Sequence, residues 1–403
     1  MDKSLLAIHG GPKVRAKPLP YRKLFGRQEL NYVKKVFKDS WCNGVDFGYQ
    51  GKYEEIYTRK FCEFQGGGFA DAVCSGTVAV YLALKALNLE IGSDVIVSPV
   101  TDPGGVAPVI MLGMNPVIAD SDINSFNIGP IEFERALTPN TKAAILTHLG
   151  GKPIDMEPIL EIANSRGIRI IEDCSQAHGA TYKGKKVGHF GDIAVFSTMF
   201  SKLHATGGCG GVVYTENEDL YWLVRSHADR GKPFAQISNF DPKNPSKFRW
   251  PALNFNLDEL SAAIGISTLS RLQDTLTKRR AIAKNINEAL KESSVVRPCL
   301  ENPDSQPSVF FHTVEVDVDK LKVPKKEFAE AIAAEGIWIN PDYRYVVSEW
   351  EWLRKYIKTD VDTPNARKFR DRTFNILLNE RFSSKDIRDI IRCIIKVESV
   401  MAY

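Results

Sequence analysis

Cysteine is scarce and unpaired in this sequence: seven residues, at positions 42, 62, 74, 174, 209, 299 and 393, with no CxxC among them. That odd, scattered set argues against a disulfide framework and against a structural zinc site, and no metal is expected. Apolar runs are short, none long enough to span a bilayer. The amino-terminal stretch MDKSLLAIHGGPKVR holds only a four-residue apolar run and no cleavage-type segment. Charge of one sign is lacking too. A formal net charge of +4 over 403 residues calls for neither a nucleic-acid nor a membrane partner. No helix-turn-helix pattern or basic patch points to DNA, and the basic triplet Lys278-Arg279-Arg280 reads as a solvated helix face. Internal repeats and low-complexity tracts are absent. The chain reads as a soluble cytoplasmic protein, of a length for two domains or one large α/β domain with an appendage.

Between about residues 70 and 220, short β-rich runs alternate with helical patterns. Residues 94–97, 116–119, 142–146, 168–171, 193–195 and 211–214 read as strands, mostly continuous apolar, as expected of a sheet covered on both faces. Residues 77–87, 106–114 and 155–166 carry helical periodicity. This alternation predicts an α/β fold, a mostly parallel central sheet flanked by helices, with ligands beyond the carboxyl ends of the strands. The character changes after Asp258: one long helix over 258–290, a strand over 309–316, a helix over 325–335 and a final amphipathic helix over 385–397. We therefore expect a large α/β domain with an N-terminal arm over 1–257. Over 258–403 we expect the long connecting helix and a small C-terminal α+β domain. Segment 232–251, with four prolines, is the loop between them.

The stretch FSTMFSKLHATGGCGG, residues 196–211, sets a lone lysine between an apolar strand and a glycine run. A phosphate-gripping loop needs its glycines before the lysine, and here they follow it. A dinucleotide fingerprint should open a helix, whereas this glycine run leads into another strand. The remaining reading of Lys202 is a covalent anchor for a carbonyl cofactor. Asp173, at the carboxyl end of a strand, can keep a pyridine nitrogen protonated, and pyridoxal 5'-phosphate (PLP) chemistry requires such a partner beside a lysine. Gln176 can hydrogen-bond the ring oxygen. Ser75, Gly76 and Thr77 precede a helix, where bare amides form a phosphate site, and Ser197 can add a hydroxyl. Each residue alone has an ordinary role, as cap, loop carboxylate or surface lysine. Their order and placement together fit a PLP site.

The stretch EDCSQAHGATYKGKKVGHFGDIAVFSTMFSKLHATGGCGG resembles the core signature of the DegT-type sugar aminotransferases, which are fold-type I PLP enzymes. CSGTVAVYLAL resembles their phosphate-binding turn, LNFNLDELSAAIG the start of their long helix, and LLAIHGGPKVR an amino-terminal pattern in part of the family. The resemblance spans roughly residues 5 to 395. It implies that Lys202 is the covalent anchor and proton shuttle, that Asp173 pairs with the ring nitrogen and that Gln176 pairs with the ring oxygen. Ser75, Gly76, Thr77 and Ser197 would hold the phosphate. Asn254 would reach the phosphate of a neighbouring subunit, which implies a homodimer with sites at its interface. Family members that dehydrate carry histidine at the lysine position, so Lys202 favours transamination, and His204 reads as a polar loop residue.

Two departures stand out. Asp102 occupies the place of an aromatic that stacks on the cofactor ring, which puts a second carboxylate beside that ring. Asn256 occupies the place of an arginine, for which Arg249 or Arg230 is a nearby substitute. The implied reaction moves an amino group from an amino-acid donor, L-glutamate by analogy, to a keto-sugar, nucleotide-linked in most of the family. The alternatives are an aminotransferase on a keto-cyclitol or other small polyol ketone, a PLP-dependent sugar dehydratase, and a non-catalytic PLP-binding regulator. The Lys202–Asp173 pair argues against the last. Loops 41–48 and 340–352, rich in aromatics, are where the acceptor would be chosen.

Overall fold

The computed structural model of the protein describes residues 3–234, 241, 244–357 and 361–403. Its first half is built on strands β1 (Phe69–Val73), β2 (Asp94–Val97), β3 (Asn115–Ile118), β4 (Thr141–Thr147) and β5 (Arg169–Asp173). A small hairpin follows, β6 (Thr181–Tyr182) and β7 (Lys185–Lys186), then β8 (Ile193–Ser197) and β9 (Gly211–Thr215). Seven of them form one sheet in the order β1-β9-β8-β5-β4-β2-β3. All run parallel except β9, which pairs antiparallel with both β8 and β1. The carboxyl ends of β1, β2, β4, β5 and β8 therefore open on the same edge.

The period-two alternation of strand side chains dresses both faces. Val95, Val97, Ile145, Ile171, Val195 and Val213 meet residues from three helices. In chain order the helices of this half are α1 (Arg27–Asn43), α2 (Lys52–Gln65), α3 (Gly76–Ala86), α4 (Ala107–Met111), α5 (Pro130–Arg135), α6 (Met156–Ser165), α7 (Glu218–Ala228) and α8 (Glu259–Leu269). The first face packs on α3, α4 and α7. On the other face Ala194, Phe196, Val212 and Tyr214 meet α2 and α8, while Ile96, Ala144, Leu146 and Ile170 meet α5 and α6. This double coverage is why the strands are continuously apolar.

The second half has its own core. It comprises α9 (Leu272–Ala289), β10 (Val296–Pro298), β11 (Ser305–Gln306), β12 (His312–Val316), α10 (Lys325–Ala334), β13 (Ile339–Asn340), α11 (Pro364–Asp371), β14 (Thr373–Ile376) and α12 (Ser384–Met401). An antiparallel sheet in the order β10-β12-β14-β13 packs against α9, α10 and α12. Leu6 and Leu19, from the amino-terminal segment, are buried in this core. That segment is also held electrostatically: Arg15 pairs with Asp386 and Asp389, each at 2.8 Å, and the Glu335 carboxylate accepts from the amides of Ala7 and Val14. No helix among the described residues is long and apolar enough to cross a membrane.

Several expected elements differ. The long helix over 258–290 is two helices, α8 and α9, broken at Ser270–Arg271. Ser270 Oγ donates back to the Ser267 carbonyl at 2.7 Å, a bond that bends helices. Arg271 turns away to pair with Glu29 on α1 at 2.7 Å. The strand expected from 309 begins only at His312, because Ser308 and Phe310 give their amides to Gly151 and Gly150 instead. The helix expected over 106–114 is the short α4, entered through a 3-10 turn over Pro103–Gly105. Of the loop expected over 232–251, residues 235–240 and 242–243 lie outside the described residues.

One buried charge cluster under this fold sets a pH dependence. Glu54 on α2 and Asp71 on β1 face Arg225 on α7, with N–O separations of 3.8 and 3.1 Å. Burial, and then the neighbouring Asp71, push Glu54 up to about 8, an effect that Arg225 does not cancel. The native state therefore holds a proton there that the unfolded chain releases near the usual carboxylate value. Its stabilising effect is fully present below that value and fades as pH rises through about 8. Glu54→Gln, which keeps the protonated shape, should lose less thermal stability than wild type between about pH 6 and about pH 9. Parallel melting curves that fall equally for the two proteins would contradict this.

Candidate active site

The site is assembled from four strand ends. After β1 the chain turns through Ser75 into α3, and Ser75 Oγ caps the helix by accepting from the Val78 amide at 3.2 Å. Gly76 lies tight against Ser197 at the end of β8: a Cβ on Gly76 would fall 2.6 Å from Ser197 Cβ. The helix start is thus bare beside a hydroxyl, the arrangement that suits an anion. Ser197 is fixed by its amide, which donates to Ser175 Oγ at 3.0 Å.

Adjacent residues on β5 have opposite fates. Glu172 is fully buried and accepts four hydrogen bonds, from His148 Nε2 at 3.1 Å and from the amides of Gly188, Phe190 and Gly191. Burial alone would raise its pKa, but His148 and those amides outweigh it and hold Glu172 below the usual carboxylate range. His148, Glu172 and Cys174 are near enough to hold a metal. However, His148 Nδ1 accepts from the Ile154 amide at 3.0 Å, so its Nε2 carries the proton and no ring lone pair is free. Asp173 projects the other way. Its Oδ1 accepts from the Ser175 amide at 3.0 Å, and its Oδ2 has no hydrogen bond among the described residues. Gln176 follows, its Oε1 accepting from the Gly150 amide at 2.8 Å and its side chain bonded to the Tyr343 hydroxyl.

Lys202 sits in a loop knotted by its own backbone. The Thr198 amide donates to Gly210 and the Thr206 amide returns to Thr198. Arg22, from the amino-terminal segment, donates to the carbonyls of Lys202 and Leu203. Glu380 accepts from Arg22 at 2.9 Å and from Arg279 at 3.1 Å. Arg279 in turn donates to the carbonyls of Val309 and Phe310, and the Phe310 ring lies 5.0 Å from Lys202 Nζ. No hydrogen bond or ion pair joins that Nζ to another described residue. Burial pushes its pKa below the usual lysine range, partly offset by the charges of Asp173 and Asp102.

Lys202, Asp173, Gln176, Ser75, Gly76, Thr77, Ser197 and Asp102 thus share one strand-end edge. Asp102 is exposed and caps the turn after β2, its Oδ1 accepting from the Gly104 amide at 2.9 Å. Asn254 is the exception. It is exposed, its Oδ1 accepts from Asn256, and it makes no hydrogen bond to Ser75, Thr77 or Ser197 of its own chain among the described residues. Arg230 is taken by Asp229 and by the Tyr49 hydroxyl, and the Arg249 guanidinium stacks at 5.6 Å from the Trp250 ring.

His204 lies in the lysine loop, as expected, but it is fully buried there, bonded to Tyr57 and Thr268 at 2.7 and 2.9 Å, and burial pushes it down to about 3. One expectation is corrected. The 278–280 triplet is not a solvated face, since Arg279 is buried on Glu380 and Arg280 donates to the carbonyls of Pro307 and Gly179. Arg22 had no local sequence signal, and Glu172 stood in the EDCSQAHG stretch without a role assigned to it. Tyr343 lay within the aromatic loop 340–352. A cavity of about 420 Å³ between this half and the second, lined by Phe126, Lys152, Phe311 and Phe369, contains none of the expected residues.

Comparison with known proteins gives a family match and close relatives. The profile of the DegT/DnrJ/EryC1/StrS aminotransferase family matches residues 25–395. The chain is 30% identical over 380 residues to the spore coat polysaccharide biosynthesis protein SpsC of Bacillus subtilis (strain 168), covering 93% of this chain and 96% of the relative. It is 34% identical over 271 residues to the GDP-perosamine synthase of Escherichia coli O157:H7, covering 66% and 70%. Among solved structures, an aminotransferase from Psychrobacter cryohalolentis superposes with a TM-score of 0.88 at 27% identity, covering 95% of this chain and 100% of that one.

The charge cluster behind the lysine loop is directly testable. Removing Glu380 leaves two guanidiniums facing each other in the interior, a loss of about 3–5 kcal/mol for a broken buried pair. Glu380→Ala should therefore lower the denaturation midpoint strongly. The double variant Glu380→Ala/Arg279→Met should recover part of the loss. Equal midpoints for wild type and the single variant would contradict the assignment.

Proposed function

This chain belongs to the DegT/DnrJ/EryC1/StrS aminotransferase family, and from that premise we propose that it moves an amino group from L-glutamate to a keto-sugar, with Lys202 as the catalytic residue. The protein is a PLP-dependent aminotransferase. The substrates and the residue roles are our reading, supported by the relatives named for polysaccharide and amino-sugar synthesis.

The residues at the strand ends suit the cofactor. The bare start of α3 beside Ser197, where a Cβ on Gly76 has no room, fits a phosphate held by Ser75, Gly76, Thr77 and Ser197. The spare Oδ2 of Asp173 fits a protonated ring nitrogen, and the Gln176 amide, its oxygen spent on Gly150, fits the ring oxygen. When bound, PLP supplies an electron sink for the charge left as a proton leaves the amino-bearing carbon.

The other work falls to the chain. Lys202 Nζ would hold the cofactor covalently and, as a free amine, would serve as the proton shuttle, taking the proton from the donor carbon. Its lowered pKa keeps a larger share unprotonated near neutral pH than for an exposed lysine. Arg22 fixes the main-chain carbonyl of Lys202, and with it the backbone that carries that side chain. Asp173 keeps positive charge on the ring. Asn254, exposed and with its Nδ2 uncommitted among the described residues, would be free to serve a second copy, and the working unit would then be a homodimer.

The observation that carries this reading is a desolvated lysine without an ion pair, in the loop that follows β8, within reach of the charge of the carboxylate that ends the neighbouring strand β5. A second reading, a keto-cyclitol or other uncharged polyol ketone as acceptor, is favoured by Arg230 being held by Asp229 and Tyr49 rather than free for an anionic substrate. Absorption spectra of the protein with PLP test the first. The wild type should show a yellow band that bleaches on adding L-glutamate, and Lys202→Ala should show neither the band nor the bleaching. A variant that keeps both would overturn the role of Lys202. Recovery of the band on adding a nucleotide-linked keto-sugar, or only on adding a keto-cyclitol, separates the two acceptors.

A further inference from the structure

Tyr343 comes from the second half of the chain, in the loop after β13, and its hydroxyl reaches Gln176 in the site. The segment that carries it is fastened on both sides. Lys325 Nζ donates to the Pro341 carbonyl at 2.8 Å. The Thr101 amide donates to the Tyr345 carbonyl at 3.2 Å, the Val347 amide to that of Pro99 at 2.8 Å, and Val100 bridges to Val346. The Tyr343 ring packs on Phe126 at 5.6 Å and on Phe311 at 5.3 Å. Those ring contacts would place a phenylalanine equally well, so the hydroxyl answers some other demand.

That demand comes from Gln176. Its main-chain carbonyl accepts from Ser308 Oγ at 3.0 Å, and its side-chain Oε1 accepts from the Gly150 amide at 2.8 Å. With the oxygen fixed on Gly150, the donor end of the amide is Nε2, which carries two protons. Burial raises the Tyr343 pKa, and the bond to Gln176 works against that rise. A bond that favours the ionised phenol is one that its oxygen accepts, so Nε2 gives one proton to Tyr343 Oη. The other proton has no acceptor among the described residues.

We infer that Tyr343 is a positioning residue for the cofactor: its hydroxyl, together with the Gly150 amide, locks the plane of the Gln176 amide so that the second Nε2 proton faces the ring oxygen of PLP. The inference rests on the assignment of Gln176 to that oxygen made above. Gly150 alone pins one atom of the amide and leaves it free to rotate about that contact. A second anchor on Nε2 fixes the plane before the ligand arrives. It also disfavours the flipped amide, which would set Oε1 against an electron-rich oxygen. Tyr343 and Ser308 both hold Gln176 and both belong to the second half, which thereby helps to shape a site built on the first.

The test is a fluorescence titration of the apoprotein with PLP, and a pH titration of the yellow band, for Tyr343→Phe, Gln176→Met and the double variant. Tyr343→Phe keeps the ring packing and should raise the Kd for PLP about three- to tenfold, as for one lost hydrogen bond. It should also move the pH midpoint of the band in the direction that Gln176→Met moves it, a shift that a ring serving only as packing would not produce. In the Gln176→Met background, Tyr343→Phe should change neither quantity. If Tyr343→Phe matches wild type in both while Gln176→Met does not, or if its effect persists undiminished in the Gln176→Met background, the inference is overturned alone. If Gln176→Met also matches wild type, the inference falls together with the assignment of Gln176.

Discussion

Two guanidiniums share one carboxylate in the interior of this protein, and that sharing holds the reactive edge together. Arg22 comes from the amino-terminal segment, Arg279 from α9 and Glu380 from the turn after β14. A buried cation has to find an anion and acceptors. Here the acceptors are the carbonyls of Lys202, Leu203, Val309 and Phe310. Satisfying two arginines thus forces four distant stretches of chain to meet behind one lysine loop. The lysine's backbone is fixed while its amine, taken out of water and left unpaired, is kept reactive.

The same economy of partners separates the two carboxylates of β5. Glu172 and Asp173 are neighbours in sequence, but the pleat sends them to opposite faces. Glu172 is saturated by a histidine and three amides and serves to bind the 188–191 turn to the sheet. Asp173 keeps an oxygen uncommitted where the strands end. A carboxylate with spare capacity at a strand edge is available to a ligand, and one with none is scaffold. The hydrogen-bond ledger also explains why the His148, Glu172 and Cys174 group, for all its proximity, is not arranged as a metal site.

What was legible in the sequence was local. Continuous apolar strands, the serine-glycine-threonine before α3, and the order of Asp173, Gln176, Ser197 and Lys202 are properties of short windows, and the strand-end rule places them together. What was not legible depended on partners far along the chain. The helix break at Ser270–Arg271 needs Glu29, 242 residues away by count from Arg271. Arg279 sits within a basic triplet that a solvated helix would also display, and only Glu380 draws it inward. His204 sits among loop residues by composition, yet Tyr57 and Thr268 bury it. Arg22 lies in a stretch with no motif, and only its carbonyl partners reveal what it does.

The central claim is that Lys202 is the covalent anchor. Borohydride reduction of the PLP-loaded protein, followed by peptide mass mapping, addresses it directly. The account predicts a single reduced pyridoxyl adduct on the peptide containing Lys202. An adduct confined to another lysine, or none on a protein that has taken up PLP, would contradict it.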